Sequence, residues 1–285
     1  MARNKESHSP KPEEVATHYN SGYEADRLNK GTGNLDHERS QELLKRFLPP
    51  TPAKILDIGG GPGGHACWLA QQSYEVHLID ITPLHVRLAR EASQRQPETP
   101  LASANIGDAV SLPWNSETAD AILLFGPLYH LTDEKDRLTA LREAYRVLKS
   151  GGILMAVGIS RFASMFDGLR LGFLKDPLFT EIVTQDLKNG QHRNPTHHPE
   201  YFMDTFFHHP EELRQEITQA GFVVSGIYGV EGPCWLLRDF DEWWSNAEYQ
   251  ERLLQIARTV ETESSLLGAS AHLLSVAQKK GFVQS

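Results

Sequence analysis

The run Ile55-Leu56-Asp57-Ile58-Gly59-Gly60-Gly61-Pro62-Gly63-Gly64 constrains this chain more than any other. Ile55, Leu56 and Ile58 read as a short buried strand. The glycines after it let the backbone turn sharply and bring N–H groups against a ligand. Gly63 to Ala70 then reads as the start of a helix. A strand, a glycine turn and a helix N-terminus together make a nucleotide-type binding site.

Two ligand classes fit the glycines. Gly59, Gly61 and Gly64 satisfy the dinucleotide pattern G-x-G-x-x-G. Gly59, Gly61 and Gly63 equally satisfy the G-x-G-x-G turn of S-adenosylmethionine (SAM) enzymes. Asp57 favours the second: a carboxylate just before the turn repels a pyrophosphate but suits a ligand with an ammonium and a sulfonium. Asp80 ends the next strand, Glu75 to Asp80. An acid there accepts hydrogen bonds from ribose hydroxyls in either class, so it supports the fold and not the choice.

Later segments decide. Gly107-Asp108-Ala109 precedes Leu112-Pro113-Trp114, Asp120 to Phe125 reads as a fourth strand, and Leu141 to Lys149 is a helix running into Gly151-Gly152. In this order they resemble the class I SAM-dependent methyltransferases, closely over about residues 40–160 and loosely over 210–280. The resemblance implies an α/β, Rossmann-like, seven-stranded sheet with helices on both faces, and SAM as cofactor. It places Asp57, Gly59, Gly61, Gly63, Asp80 and Ile81 around the cofactor. It gives Asp108 the adenine amine to accept from, and the Ala109 N–H the ring to donate to. His18-Tyr19-Asn20-Ser21-Gly22-Tyr23 resembles the family's lid, in which tyrosines close over the methionine end of the cofactor. Tyr19 and Tyr23 offer ring faces to a cation, and Arg27 would pair with the cofactor carboxylate. An amphipathic helix packed on the core would also put these three residues on one face.

Composition bounds the rest. The 285 residues suffice for one large domain with an elaboration, and 40% hydrophobic with 23% charged residues is ordinary for a globular protein. A net charge of −9 argues against a nucleic-acid-binding face. The two cysteines, Cys67 and Cys234, make no disulfide framework. No stretch approaches the roughly 20 apolar residues of a membrane span, and Met1 to Ser7 lacks the apolar run of a signal peptide. A cytoplasmic enzyme, monomeric or homodimeric, with a small-molecule substrate is expected.

We read residues 1–48 as an N-terminal helical lid, with helices over 13–30 and 36–48, and 49–285 as the SAM-binding domain. Strands are expected near 53–58, 75–80, 101–105, 119–125 and 152–159, and helices near 63–72, 83–93 and 133–149. Such alternation implies a mainly parallel sheet covered on both faces. From about 161 to 209 the rhythm breaks, with short helices at 162–166 and 180–183, and this stretch reads as a cap over the active site. A helix from Pro210, a strand over 222–228, a mostly helical stretch from Arg238 to Leu267 and a strand over 272–277 complete the domain. By resemblance, the last two strands form a hairpin with the final strand antiparallel.

Methyl transfer from a sulfonium is an in-line displacement, so the protein must mainly align the reactants and exclude water. A general base helps only if the nucleophile has a proton to lose. Phe125 and the loop Gly126-Pro127-Leu128-Tyr129-His130-Leu131 end the fourth strand, on the carboxyl edge where ligands sit. Phe125 lines the cofactor or belongs to the core. His130 is the base candidate, or else caps the helix that begins near Asp133; Tyr129 is placed to orient substrate or sulfonium. The crowd of His192, His197, His198, His208 and His209 lacks metal-ligand spacing, and no metal is expected. Arg161, His192, Arg193, Tyr201 and His208 are instead candidates to touch substrate. The leading expectation is methylation of a small molecule. Two alternatives keep the cofactor: attack of the methionine amine on its own γ-carbon, giving azetidine-2-carboxylate and methylthioadenosine, or non-catalytic SAM binding.

Overall fold

The structure, a computed structural model, describes residues 31–196, 198 and 200–281. Tyr19, Tyr23 and Arg27, with the helix expected over 13–30, lie outside the described residues.

Helix α1 (Gly33–Phe47) buries Leu35, Leu43 and Leu44, and Lys45 and Arg46 suit the negative end of its dipole. Next come β1 (Lys54–Ile58), α2 (Gly64–Gln71), β2 (Glu75–Asp80), α3 (Pro83–Gln94) and β3 (Ser103–Ile106). They are followed by β4 (Ala119–Leu124), the single turn α4 (Pro127–His130), α5 (Glu134–Val147) and β5 (Leu148–Ser160). These five strands pair in parallel in the order β3-β2-β1-β4-β5. Such strands are buried on both faces, so they read as near-continuous apolar runs. Leu56, Ile58, Ile122 and Leu124 pack on one side with Leu141 and Ala144 of α5. Ile55, Ala121 and Leu123 pack on the other with Leu43, Leu44 and Leu69. The final strand β9 (His272–Gln278) runs antiparallel between β5 and β8 (Val223–Gly229), which completes the expected seven strands.

The last two strands pair antiparallel, as expected, but the connection between them is long. Helices α9 (Phe240–Ser245) and α10 (Ala247–Val260) lie between β8 and β9. They pack Phe240, Leu253, Leu254 and Ala257 on Leu35 of α1, with Trp243 and Trp244 at the margin.

The stretch expected to hold only short helices departs further. It forms α6 (Ala163–Leu171) and α7 (Pro177–Asn189), each ended by a left-handed glycine, Gly172 and Gly190. It also adds two strands, β6 (Gln191–His192) and β7 (Thr205–His208). β7 lies parallel to the far end of β5, with Phe207 opposite Ile159 and His208 opposite Ser160, and β6 pairs antiparallel with β7. Strands this short carry no readable periodicity. Arg137 of α5 clamps the insertion from behind. Its guanidinium lies 3.6 Å from the Phe206 ring centroid and donates to Glu216 of α8 (Pro210–Gln219) at 2.7 Å, and Glu216 also meets His208 at 3.3 Å.

Two arginines fasten α1 to the C-terminal half. Arg39, with 0% exposure, pairs with Glu261 at 2.5 Å and donates to the Val230 carbonyl at 3.2 Å. Arg46 also pairs with Glu261 but is two-fifths exposed. Removing the buried Arg39 guanidinium strips the Val230 carbonyl of its donor and leaves Glu261 to the exposed Arg46, whereas exposed pairs contribute little. Arg39→Ala should therefore lower unfolding free energy by about 3 kcal/mol and Arg46→Ala by less than about 1 kcal/mol. Urea denaturation of both variants checks this, and equal losses would contradict it.

Candidate functional site

The carboxyl ends of β1, β2 and β4 meet at the glycine turn. Gly59 and Gly60 donate to the Ile79 carbonyl at 2.8 and 3.3 Å, which continues the β1–β2 ladder past its last pair. Gly59 has φ +73°, and a Cβ there would lie 2.8 Å from Cδ of Pro127, so the turn and α4 are in direct contact. Gly63, at φ +88°, caps α2 in a conformation open mainly to glycine.

The Asp80 carboxylate braces this turn. One oxygen accepts from the Gly61 N–H at 2.9 Å; the other accepts from the Thr82 N–H at 2.8 Å and faces Nδ1 of His85 at 3.3 Å. Burial alone would raise its pKa, but His85 and the two amides outweigh it and hold Asp80 below the usual carboxylate range. Half-buried Ile81 follows it. The Gly107 N–H donates to the Asp80 carbonyl at 3.1 Å, which brings the Gly107-Asp108-Ala109 segment beside β2. Asp108 is half-buried and accepts from the Val110 N–H at 3.1 Å, while the Ala109 side chain is in the core.

Asp57 is 2% exposed, and its Oδ2 lies under Gly60 with no hydrogen-bond partner among the described residues. Burial, with Asp80 nearby, pushes its pKa up to about 7. An unsatisfied acid at this turn matches a cationic guest and opposes an anionic one. The ammonium and sulfonium of SAM fit it; a pyrophosphate does not.

At the start of α2, just after the turn, His65 stands in a row with two other rings. Phe125 meets His65 edge-on at 5.6 Å, and His65 stacks on His37 of α1 at 5.1 Å. Burial first, then His37, drives the His65 pKa down to about 4 against the opposing pull of Asp36, so the ring is neutral. The Tyr129 hydroxyl donates to the Phe125 carbonyl at 3.1 Å, and the His130 ring meets Tyr129 edge-on at 4.7 Å. The cap of α5 is Asp133, whose side chain accepts from the Lys135 N–H at 2.8 Å, so His130 does not serve as that cap.

Most of the insertion's polar candidates bond within the insertion or to neighbouring elements. Arg161 donates to the Phe207 carbonyl and to Glu212, Arg193 to Thr132 and Gln191, and Tyr201 to Asp176. His209 caps α8. His197 lies outside the described residues.

Several polar groups escaped the sequence reading. Glu231, after β8, holds Nδ1 of His272 at 2.5 Å, and Asp36 lies 3.6 Å from the same nitrogen. These three side chains are close enough to share a metal ion, but they also satisfy one another as an ion-paired cluster that pins α1 to β9. Ser164 and Asp186 join His192, which the sequence did single out, in a second cluster inside the insertion. The first joins segments far apart in sequence, the second joins three elements of the insertion, and no motif spacing signals either.

The Asp57 pKa has a measurable consequence. The unfolded chain loses this proton near pH 4 and the folded protein near pH 7, so Asp57 lowers stability progressively between those values. Asp57→Asn should gain in melting temperature over the parent from pH 4 to pH 7 and hold a constant advantage above. A difference that does not change with pH would mean that folded Asp57 is already ionised.

Residues 56–156 match a family model described as a methyltransferase domain. The chain is 27% identical to a demethylmenaquinone methyltransferase of Protochlamydia amoebophila, over 78% of this chain and 92% of that one. It is 28% identical to the ubiquinone/menaquinone biosynthesis C-methyltransferase UbiE of Cereibacter sphaeroides, over 55% of this chain and 64% of the relative. The fold is shared with the [4+2]-cyclase SpnF at a TM-score of 0.60 and 16% identity, covering 96% of this chain and 98% of that one. A methyltransferase domain on the strand order found here, with its glycine turn and its acids, makes this chain a class I SAM-dependent methyltransferase.

Proposed function

We propose that the site transfers the methyl group of SAM to a small molecule held between the glycine turn and the insertion. The observation that carries this reading is Asp57, a buried acid at the turn whose free oxygen a cationic cofactor would satisfy. Gly59, Gly61 and Gly63 shape the turn. Asp80 braces it and, with Ile81, meets the ribose side; Asp108 and Ala109 take the adenine. Phe125 flanks the cofactor, and Tyr19, Tyr23 and Arg27 belong to its lid.

The small-molecule class rests on the roof. Tyr129 of α4 packs with Ile159, Ala163, Phe202 and Phe207 in one apolar cluster, so the insertion covers the acceptor side. A covered site suits a compact acceptor, and a net charge of −9 gives no support for a nucleic acid. No helix among the described residues is long and apolar enough to cross a membrane. We read the enzyme as cytoplasmic, monomeric or homodimeric.

The bound cofactor supplies an electrophilic methyl group with a good leaving group. The chain's part is to orient the acceptor, exclude water and, for a protonated nucleophile, take a proton. His130 stands in the loop after β4 for that last role, with Tyr129 orienting.

Calorimetry with SAM tests the core of the reading. The parent should bind it. Asp108→Ala, which removes a half-exposed acid outside the apolar core, should weaken binding by about tenfold or more at an unchanged melting temperature. An unaltered affinity would remove Asp108 from the cofactor site. Mass spectrometry after incubation with SAM alone should show intact SAM with at most slow hydrolysis. Methylthioadenosine with azetidine-2-carboxylate would replace methyl transfer by cyclisation of the cofactor.

A further inference from the structure

The insertion is built around three polar side chains, one from each of its first three elements. Ser164 of α6 donates to Oδ2 of Asp186 of α7 at 2.6 Å, and Nδ1 of His192 of β6 lies 2.8 Å from the same oxygen. Asp186 and His192 are both 0% exposed. Two atoms of this cluster are left over: Nε2 of His192 and Oδ1 of Asp186 are buried and have no hydrogen-bond partner among the described residues. Buried polar atoms are almost always hydrogen-bonded, so two left over on neighbouring groups mark the place of a polar guest.

The surroundings say what the guest is. A carboxylate at Nδ1 fixes the tautomer with the proton on that nitrogen, which makes Nε2 a lone-pair acceptor. Oδ1 of Asp186 is an acceptor too. The guest must therefore donate. The His192 ring packs on Phe207 at 5.0 Å and Phe202 at 5.8 Å. Those two rings share an apolar cluster with Tyr129, which adjoins Phe125 at the edge of the cofactor site. A molecule that reaches His192 from the reacting side is thus apolar in body and carries an O–H at its end.

We propose that His192, backed by Asp186, receives the hydroxyl of the methyl acceptor, so the acceptor is a phenol or an apolar alcohol. This rests on the methyl-transfer reading above. In the step it implies, the hydroxyl proton passes to Nε2 of His192, and Asp186 stabilises the imidazolium. The electron pair released on oxygen forms the new bond to the methyl carbon, and the carbon–sulfur pair remains on sulfur. The products are a methyl ether and S-adenosylhomocysteine.

The test uses p-nitrophenol, whose ionised form absorbs apart from the neutral form, on the full-length protein with S-adenosylhomocysteine present. The expected result is saturable binding with part of the bound probe ionised at a pH where the free probe is protonated. His192→Asn keeps an amide donor for Asp186 but has no atom at Nε2. It should retain its melting temperature and cofactor affinity and lose about tenfold or more of its affinity for the probe. Asp186→Asn should bind the probe without ionising it. Binding and ionisation that survive in His192→Asn overturn the proposal, as does their loss in His130→Gln alone. A parent protein that takes up S-adenosylhomocysteine but not the probe assigns the gap to a buried water and overturns it as well. Failure to bind the cofactor at all would instead overturn the methyl-transfer reading.

Discussion

The Asp80 carboxylate joins the parts on which the site depends. It accepts from the turn at Gly61 and from the amide of Thr82, the residue that caps α3, and His85 faces it from inside that helix. Because the turn is held there, Gly59 can lie against Pro127, and the loop after β4 is set relative to the end of β1. The same negative charge has a second effect. Burial, together with that charge, keeps a proton on Asp57 up to about pH 7, so the turn holds one firm charge and one conditional one. A cation arriving at the turn would tip Asp57 to its ionised form. Binding would then release a proton near neutral pH.

Sheet and insertion are stabilised by different means. The sheet is held by apolar packing on both faces, whereas the insertion adds buried polar groups to its own apolar clusters. Burial would raise the pKa of Glu216, but hydrogen bonds from His208 and Arg137 hold it down to about 2. Such clusters contribute less net stability than apolar packing, and they tolerate fewer alternative arrangements. That suits an element that pairs with β5 over only two residues and yet must present Phe207 and His192 in a fixed pose.

What the sequence revealed follows from range. β1, β2, β4 and α5 were legible because an apolar run, a glycine turn or a cap lies within a few residues of what it specifies. Asp57, Gly59 and Gly63 were legible for the same reason. β6 and β7 were not, since strands of two and four residues have too few alternations to read. The His37–His65–Phe125 row and the Glu231–His272–Asp36 cluster draw on segments that meet only in the folded chain. Local reasoning left His130 open as the cap of α5. Asp133, three residues on, takes that role with a shorter side chain in an extended backbone conformation.

The Arg39–Glu261 pair spans 222 residues of sequence, and the bond from Arg39 to the Val230 carbonyl spans 191. A guanidinium this deeply placed has to stay in water until both partners exist. During synthesis, α1 can set Leu43 and Leu44 against the early strands, but Arg39 has no partner until most of the chain has left the ribosome. The strands that β1 begins, from β2 to β5, can pair well before that. Contacts of such separation are slow to close. The locking of the first described helix by Arg39 is therefore a late event in folding, one that follows the apolar contact of Leu43 and Leu44 with the sheet.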